Sequence, residues 1–317
     1  MANDERNFEK LSGWIQDLDN LDSSDSKELQ NLIICSPFDH GVRANKGRPG
    51  SRFAPKAILG MLSQFVLPST FFPNSSLDPL LAPLFIKNFN PNPHSTLKAT
   101  PWDKKFFTPF KKIVQLGGGH ENVFELLDYA ASQLRSTSQL WVINIDAHCD
   151  TRQSTQGSEI LHSGNPFRKF DESFKKRWNL IQIGIHPFSN NSHTLAKLTY
   201  GHMQIHFAYD WNSQDDFKKN DVLSIVKNLP IKPQDLVILS LDADAISSSE
   251  MPSVSAPNPL GLGIQNIFSL LNWYIHLKNS SQKLFGIYEM NPIYDNLSQK
   301  GARPLALLIY HYITTSI

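Results

Sequence analysis

Apolar residues fall along this chain in two rhythms. Short, nearly unbroken runs occupy 31–37, 112–118, 140–148, 179–186, 203–209, 236–244 and 283–290. Runs of that length and character predict strands buried on both faces. Longer amphipathic segments at 54–65, 121–136, 215–229 and 263–278 predict helices between them. Strand and helix alternating in this way point to an α/β fold with a mostly parallel sheet in one domain.

The stretch from about 66 to 111 breaks the rhythm. Its PNSSLDP, NPNPHS and TPWDKKFFTPF pieces are poor material for regular structure. We read it as an irregular surface excursion of the same domain. No internal repeat is visible, and DSSDS at 22–26 reads as a loop.

Bulk properties narrow the function classes. The chain has 317 residues, 40% of them hydrophobic, which suffices for a substantial core. Its 30 basic and 29 acidic residues leave a formal charge of +1, so nucleic acid and anionic membranes are not expected partners. Two cysteines, Cys35 and Cys149, exclude a disulfide framework or a cysteine-rich zinc site. The polar start MANDERNFEKLSGW lacks a signal-peptide layout. No uncharged apolar run approaches the roughly 20 residues of a membrane span. The expectation is a cytoplasmic protein.

Chemistry gathers at the strand ends. In parallel sheets, sites form beyond the carboxyl ends of strands. The run at 112–118 leads into His120, the next into Asp146, His148 and Asp150, and LVILS into Asp242 and Asp244. Spacing of two puts Asp146 beside His148, and Asp242 beside Asp244, on one face. Four carboxylates at close range repel one another unless cations compensate. Two divalent ions sharing aspartates would relieve that repulsion and acidify a water between them. Oxygen and imidazole ligands without thiolate favour manganese over zinc. Taken singly, a D-x-D after a strand is more often a turn cap, and a strand-end histidine an ordinary hydrogen-bonded residue. Turn chemistry does not explain all three occurring together.

GGGH, DAHCD and SLDAD resemble the three metal motifs of the ureohydrolases, the arginase and agmatinase superfamily, in that family's order. The resemblance runs from about residue 30 to the C-terminus. It implies a three-layer α/β/α domain, two Mn2+ ions per chain and hydrolysis of a guanidinium or amidine carbon. By motif position His120 and Asp150 would serve one ion, His148 and Asp244 the other, and Asp146 and Asp242 both. Homo-oligomers are common in such families, although no interface is legible here.

Finer features resemble the formimidoylglutamase branch. Gly119 stands where arginases typically carry Asp, and GVRANKGRPGSRFAPKAI at 41–58 resembles that branch's loop. The segment after SLDAD lacks the Asp-Pro of arginases but keeps VSAP. The resemblance implies N-formimidoyl-L-glutamate as substrate, split to glutamate and formamide. Another guanidino or formimino compound is the alternative, and a catalytically inactive scaffold a further one, although no ligand is missing. Glu289 would pair with the formimidoyl group, or be an ordinary strand-end glutamate. Arg152 would bind a substrate carboxylate, or be a solvated surface arginine. His162 stands one residue before Ser163, which strict alignment puts at the proton-shuttle position of arginases. His186, His202, His206 and His311 read as structural, and Cys149 as packed between its ligand neighbours.

Overall fold

The computed structural model describes residues 10–17, 29–66, 84–88, 107–153, 160–191, 197–209, 220–279, 282–297 and 299–316. Its strands are β1 (Ile15–Asp17), β2 (Leu29–Ser36), β3 (Leu84–Asn88), β4 (Phe110–Gly117), β5 (Leu140–Ile145), β6 (Trp178–Ile185), β7 (Gly201–Phe207), β8 (Leu236–Asp242) and β9 (Lys283–Tyr288). They form one nine-stranded sheet in the order β1-β3-β2-β4-β9-β8-β5-β6-β7. Every pairing is parallel. The α-helices are α1 (His40–Ala44), α2 (Ala54–Leu62), α3 (Val123–Gln133), α4 (Pro166–Phe174), α5 (Val222–Lys227), α6 (Ile264–Ile275) and α7 (Ala302–Thr314).

Successive side chains on a strand point to opposite faces, so each apolar run feeds two cores. Ile33, Val114, Ile143, Leu239 and Phe285 pack with Ile58 of α2, Val226 of α5, Leu271 of α6 and Leu308 of α7. Ile34, Ile113, Val142, Ile238 and Leu284 pack with Leu126 of α3 and Phe170 of α4 on the other side. The result is the expected three-layer α/β/α architecture. Each fully buried Leu or Ile contributes roughly 1.5–3 kcal/mol of transfer free energy, which is why the strands are apolar on both faces.

Several elements depart from the sequence expectation. β3 lies inside the proline-rich stretch expected to be irregular, paired between β1 and β2; the flanking residues 67–83 and 89–106 lie outside the described residues. Five residues of LFIKN are too short to signal a strand without their neighbours. α4 shows helical spacing in Phe167, Phe170 and Phe174, a signal available but unused. α7 is apolar almost all round, so its period is blurred; its first turn is held by Asp295, which accepts the Gly301 and Ala302 N–H groups at 3.0 and 3.1 Å. Among the described residues, no helix is long and apolar enough to cross a membrane.

At the amino end of the sheet two lysines are buried side by side. Lys112 and Lys283 are register partners on β4 and β9, only 4% and 1% exposed. Lys112 Nζ donates to the carbonyls of Tyr312 and Thr315 at the end of α7, the first at 2.8 Å. Lys283 Nζ donates to Leu277 O and Asn279 Oδ1, both at 2.5 Å, just past α6. Burial pulls both pKa values down to about 8, and the Lys283 charge adds to the effect on Lys112.

Between about pH 8 and the ordinary lysine value near 10.4, the unfolded chain therefore binds more protons than the folded one. Stability from this pair grows as pH rises through that window. Cys35, pushed up to about 12 by burial, works the other way once unfolded thiols ionise, so a difference measurement is needed. Urea unfolding of wild type and a Lys112→Met/Lys283→Met variant, at pH values about 1.2 units apart spanning the lower half of that window, should show wild type gaining relative to the variant. A difference independent of pH would mean that both lysines titrate normally in the fold.

Candidate metal centre

The sheet face toward α3 and α4 changes character in successive rows. Ile113, Leu284, Ile238, Val142 and Leu180 form an apolar row within the core. Two residues further on, Gln115, Gly286, Ser240, Asn144 and Gln182 align in register across five strands. Most of the polar side-chain atoms in this buried row are satisfied by neighbouring side chains and backbone, although Asn144 Oδ1 has no partner. Asn144 Nδ2 donates to Gln182 Oε1 at 2.8 Å, and Gln182 Nε2 to Cys149 O at 2.6 Å. One step beyond, Tyr288 pairs with Asp242, and the candidate ligands begin. The polar row is the seat on which they stand.

Ligand atoms converge in two groups, each with all its atoms within 4.8 Å of one another: His120, Asp146, Asp150 and Asp242, then Asp146, His148 and Asp244. All six residues expected from the sequence are brought together, and Asp146 is common to both groups. His120 Nδ1 faces Asp150 Oδ2 at 2.9 Å, Asp146 Oδ2 at 3.1 Å and Asp242 Oδ2 at 3.2 Å. His148 Nδ1 lies 3.1 Å from Asp244 Oδ2 and 3.6 Å from Asp146 Oδ1. Asp242 stands in the first group alone, and its other oxygen accepts the Asp244 N–H at 2.9 Å.

This geometry calls for a positive charge. An imidazole Nδ1 carries at most one proton and can satisfy only one of three carboxylates. His120 Nε2 is 3.0 Å from Ser240 Oγ, a partner that leaves Nδ1 free to act as a lone-pair donor. Both His120 Nδ1 and Asp244 Oδ1 are buried without a hydrogen-bond partner, which costs free energy unless a cation fills the gap. The site's pKa shifts have the same origin. Burial and then the Asp146 charge push Asp150 up to about 6. Burial, then Asp244 and Asp146, raise Asp242 well above the carboxylate range. Burial opposes charge on His120, but the three aspartates facing it outweigh burial and raise its pKa. Asp146 goes the other way: burial opposes its charge, but His120 and His148 outweigh burial and hold its carboxyl below the usual range.

The backbone is bent to serve the cluster. Asp150 and Glu289 both have positive φ, 50° and 63°, a conformation costly for non-glycine residues and typical of functional sites. Tyr288 stacks on the His120 ring at 4.9 Å, with its hydroxyl donating to Gln115 Oε1 at 2.6 Å. Phe167 meets the same ring edge-on at 5.5 Å. Glu289 Oε1 accepts the His120 N–H at 2.9 Å, and burial, then the Glu121 charge, raise its pKa well above the usual range.

Gly119, where an aspartate is typical of arginases, has a steric reason here. Glu121 turns back beneath it, and a Cβ at position 119 would lie 2.1 Å from Glu121 Oε2. Glu121 Oε1 accepts the Gly41 N–H at 2.7 Å, where a Cβ would come within 2.3 Å of Glu121 Cδ. The buried glutamate thus fastens α1 to the His120 turn through two side-chain-free positions.

Arg152 is partly buried and its Nη1 donates to Asn45 Oδ1 at 2.6 Å. Asn45 Nδ2 donates to Ser163 Oγ at 3.0 Å. His162 is set differently: its Nδ1 accepts the Gly164 N–H at 3.1 Å, and burial, then Arg152 and Lys169, push its pKa down to about 4. It is neutral at pH 7. Cys149 is fully buried and belongs to neither ligand group. Sequence reading missed Ser240 and Asn144, although each lies two residues before a ligand aspartate and shares its face. It also missed Tyr288, Phe167 and Asn45, which reach the site from other elements and carry no local signal.

A parallel three-layer sheet with a carboxylate–imidazole cluster at its carboxyl edge defines a class of α/β metalloenzymes. Within that class the Arginase family profile matches residues 30–314, and the chain belongs to the arginase family. It is 30% identical over 304 residues to the formimidoylglutamase of Staphylococcus epidermidis, covering 93% of this chain and 89% of that one. With the formimidoylglutamase of Clostridium tetani it shares 28% over 325 residues, 95% and 88% of the two chains. Trypanosoma cruzi formiminoglutamase with Mn2+2 superposes with a TM-score of 0.70 at 20% identity, over 95% of this chain and 99% of that one.

The Glu121 lock is open to a direct check. Gly41→Ala should destabilise the protein by about 1–3 kcal/mol through overpacking. In a Glu121→Ala background the same change should cost much less, since the obstructing carboxylate is gone. Thermal unfolding of the four proteins decides, and a Gly41→Ala cost equal in both backgrounds would remove Glu121 as the obstacle.

Proposed function

We propose that this protein hydrolyses N-formimidoyl-L-glutamate to L-glutamate and formamide, using two Mn2+ ions. The observation that carries the reading is His120 Nδ1 facing three aspartate oxygens at 2.9–3.2 Å. It is supported by the second group sharing Asp146 and by relatives named formimidoylglutamase at 25–30% identity. His120, Asp146, Asp150 and Asp242 would hold one ion and Asp146, His148 and Asp244 the other. When bound, such a pair supplies a nucleophile derived from water at neutral pH and Lewis acidity at the reacting carbon.

The chain's own residues account for the rest. The reaction adds one water to the formimidoyl carbon and breaks that carbon's bond to the glutamate nitrogen, which leaves as an amine after gaining a proton. Glu289, anchored on the His120 N–H, offers its other oxygen to the formimidoyl N–H groups. A cationic group there would draw the buried carboxyl into its charged form and hold the carbon in place. Arg152 supplies a fork for a substrate carboxylate. His162 is neutral at pH 7, and because its Nδ1 accepts the Gly164 N–H its proton sits on Nε2; a role in proton transfer would begin at that N–H. We further propose that residues 1–317 act as one catalytic domain in the cytoplasm, on a small molecule rather than nucleic acid, and that the chain is able to form a homo-oligomer.

Elemental analysis of purified, manganese-loaded protein should find two ions per chain in wild type. Asp146→Ala, which removes the ligand common to both groups, should retain fewer than one. Two ions retained by this variant would overturn the ligand assignment.

Substrate choice tests the remainder. Formimidoylglutamate carries two carboxylates, arginine one carboxylate and an ammonium, and agmatine an ammonium alone. A guanidinium at the rim attracts the first and repels the last. Side-by-side assays should rank formimidoylglutamate well above arginine, with agmatine near background. Arg152→Ala should raise KM for formimidoylglutamate more than it lowers kcat, since that contact is made in ground and transition states alike. Faster turnover of agmatine or arginine would leave the family intact but not this substrate.

A further inference from the structure

Asn45 follows α1 directly and belongs to a loop remote in sequence from every candidate ligand. Its amide is nevertheless committed at both ends. The oxygen accepts Arg152 Nη1 at 2.6 Å, and the nitrogen donates to Ser163 Oγ at 3.0 Å. Arg152 lies 107 residues and Ser163 118 residues further along the chain. Arg152 is held again at its backbone, where its N–H donates to Gly164 O at 3.0 Å. Among the described residues it makes no ion pair.

An arginine held by a neutral amide keeps its full charge. A carboxylate in place of Asn45 would hold it equally well but neutralise it. An unheld arginine would have to lose rotamer entropy each time it met a substrate. The amide removes much of that cost beforehand and leaves the remaining donors of the fork unspent. α1 is itself pinned, because the Gly41 N–H donates to Glu121 beside His120. The guanidinium is thereby referenced to the same turn that carries a metal-ligand candidate.

We infer that Asn45 is a positioning residue: it preorganises Arg152, charged and aimed, for the substrate carboxylate. This deepens the formimidoylglutamate reading and rests on it. The GVRAN loop then contributes to specificity through an arginine on a different loop, and never touches the reacting carbon.

Two measurements separate this from a merely structural tie. In kinetics with formimidoylglutamate, Asn45→Ala should raise KM about tenfold while kcat stays within about twofold. Added to Arg152→Ala, it should have almost no further effect, as expected of residues acting through one group. Asn45→Asp should also raise KM, since it holds the arginine but cancels its charge. The second measurement needs no turnover. Phenylglyoxal modification of Arg152, followed by peptide mass spectrometry, should be several-fold faster in Asn45→Ala than in wild type or Asn45→Asp. Arg168, bonded to the Thr151 and Lys197 carbonyls, serves as the unchanged internal reference. Equal Arg152 labelling in all three proteins would overturn the clamp. So would an Asn45→Ala effect on KM that persists in full without Arg152. Failure of manganese-loaded wild type to hydrolyse formimidoylglutamate would sink the substrate reading alone, and the labelling rates would then decide the clamp.

Discussion

One imidazole nitrogen facing three aspartate oxygens in a buried pocket is the constraint on which the carboxyl edge of this sheet depends. Lone pairs converging in a region shielded from water are unfavourable by themselves. The fold tolerates them because each ligand is fixed by groups that cannot relax away. Ser240 holds the far side of the His120 ring, Tyr288 and Phe167 close on its face and edge, and backbone N–H groups at His148 and Asp244 hold the remaining oxygens of Asp146 and Asp242.

That rigidity has a cost visible elsewhere. Two non-glycine residues, Asp150 and Glu289, adopt left-handed backbone, and a polar row is buried between the ligands and the apolar core. The row is tolerated because most of its polar atoms bond to neighbouring side chains and backbone, although Asn144 Oδ1 is left without a partner. Glu121 extends the same logic outward. It ties α1 to the ligand turn, and the loop that follows α1 steadies Arg152 through Asn45. The candidate metal centre and the Arg152 side chain are thus parts of one connected structure.

Much of this was legible in the residues. Runs such as LWVINI and LVILSL identify buried parallel strands because both faces are apolar, and the two-residue spacing of Asp146, His148 and Asp150 can be read without coordinates. Even the supporting Ser240 and Asn144 follow from that alternation once it is extended backward. By contrast, LFIKN shows no strand character until β1 and β2 flank it, and α7 hides its period because nearly every side of it is apolar.

By itself, then, the sequence determined which residues carry ligand chemistry and that they end buried strands, since those properties are local and periodic. Only the tertiary structure decided which of these side chains come together. Strand order β4-β9-β8-β5 sets His120, Glu289, Asp242 and Asp146 on four adjacent strands, although β8 and β9 come late in the chain. Bringing β8 and β9 back between β4 and β5 is a matter of packing two cores around one sheet. No local pattern encodes it, just as none foretells that Asn45 reaches Arg152 or that Glu121 needs glycine at 41 and 119.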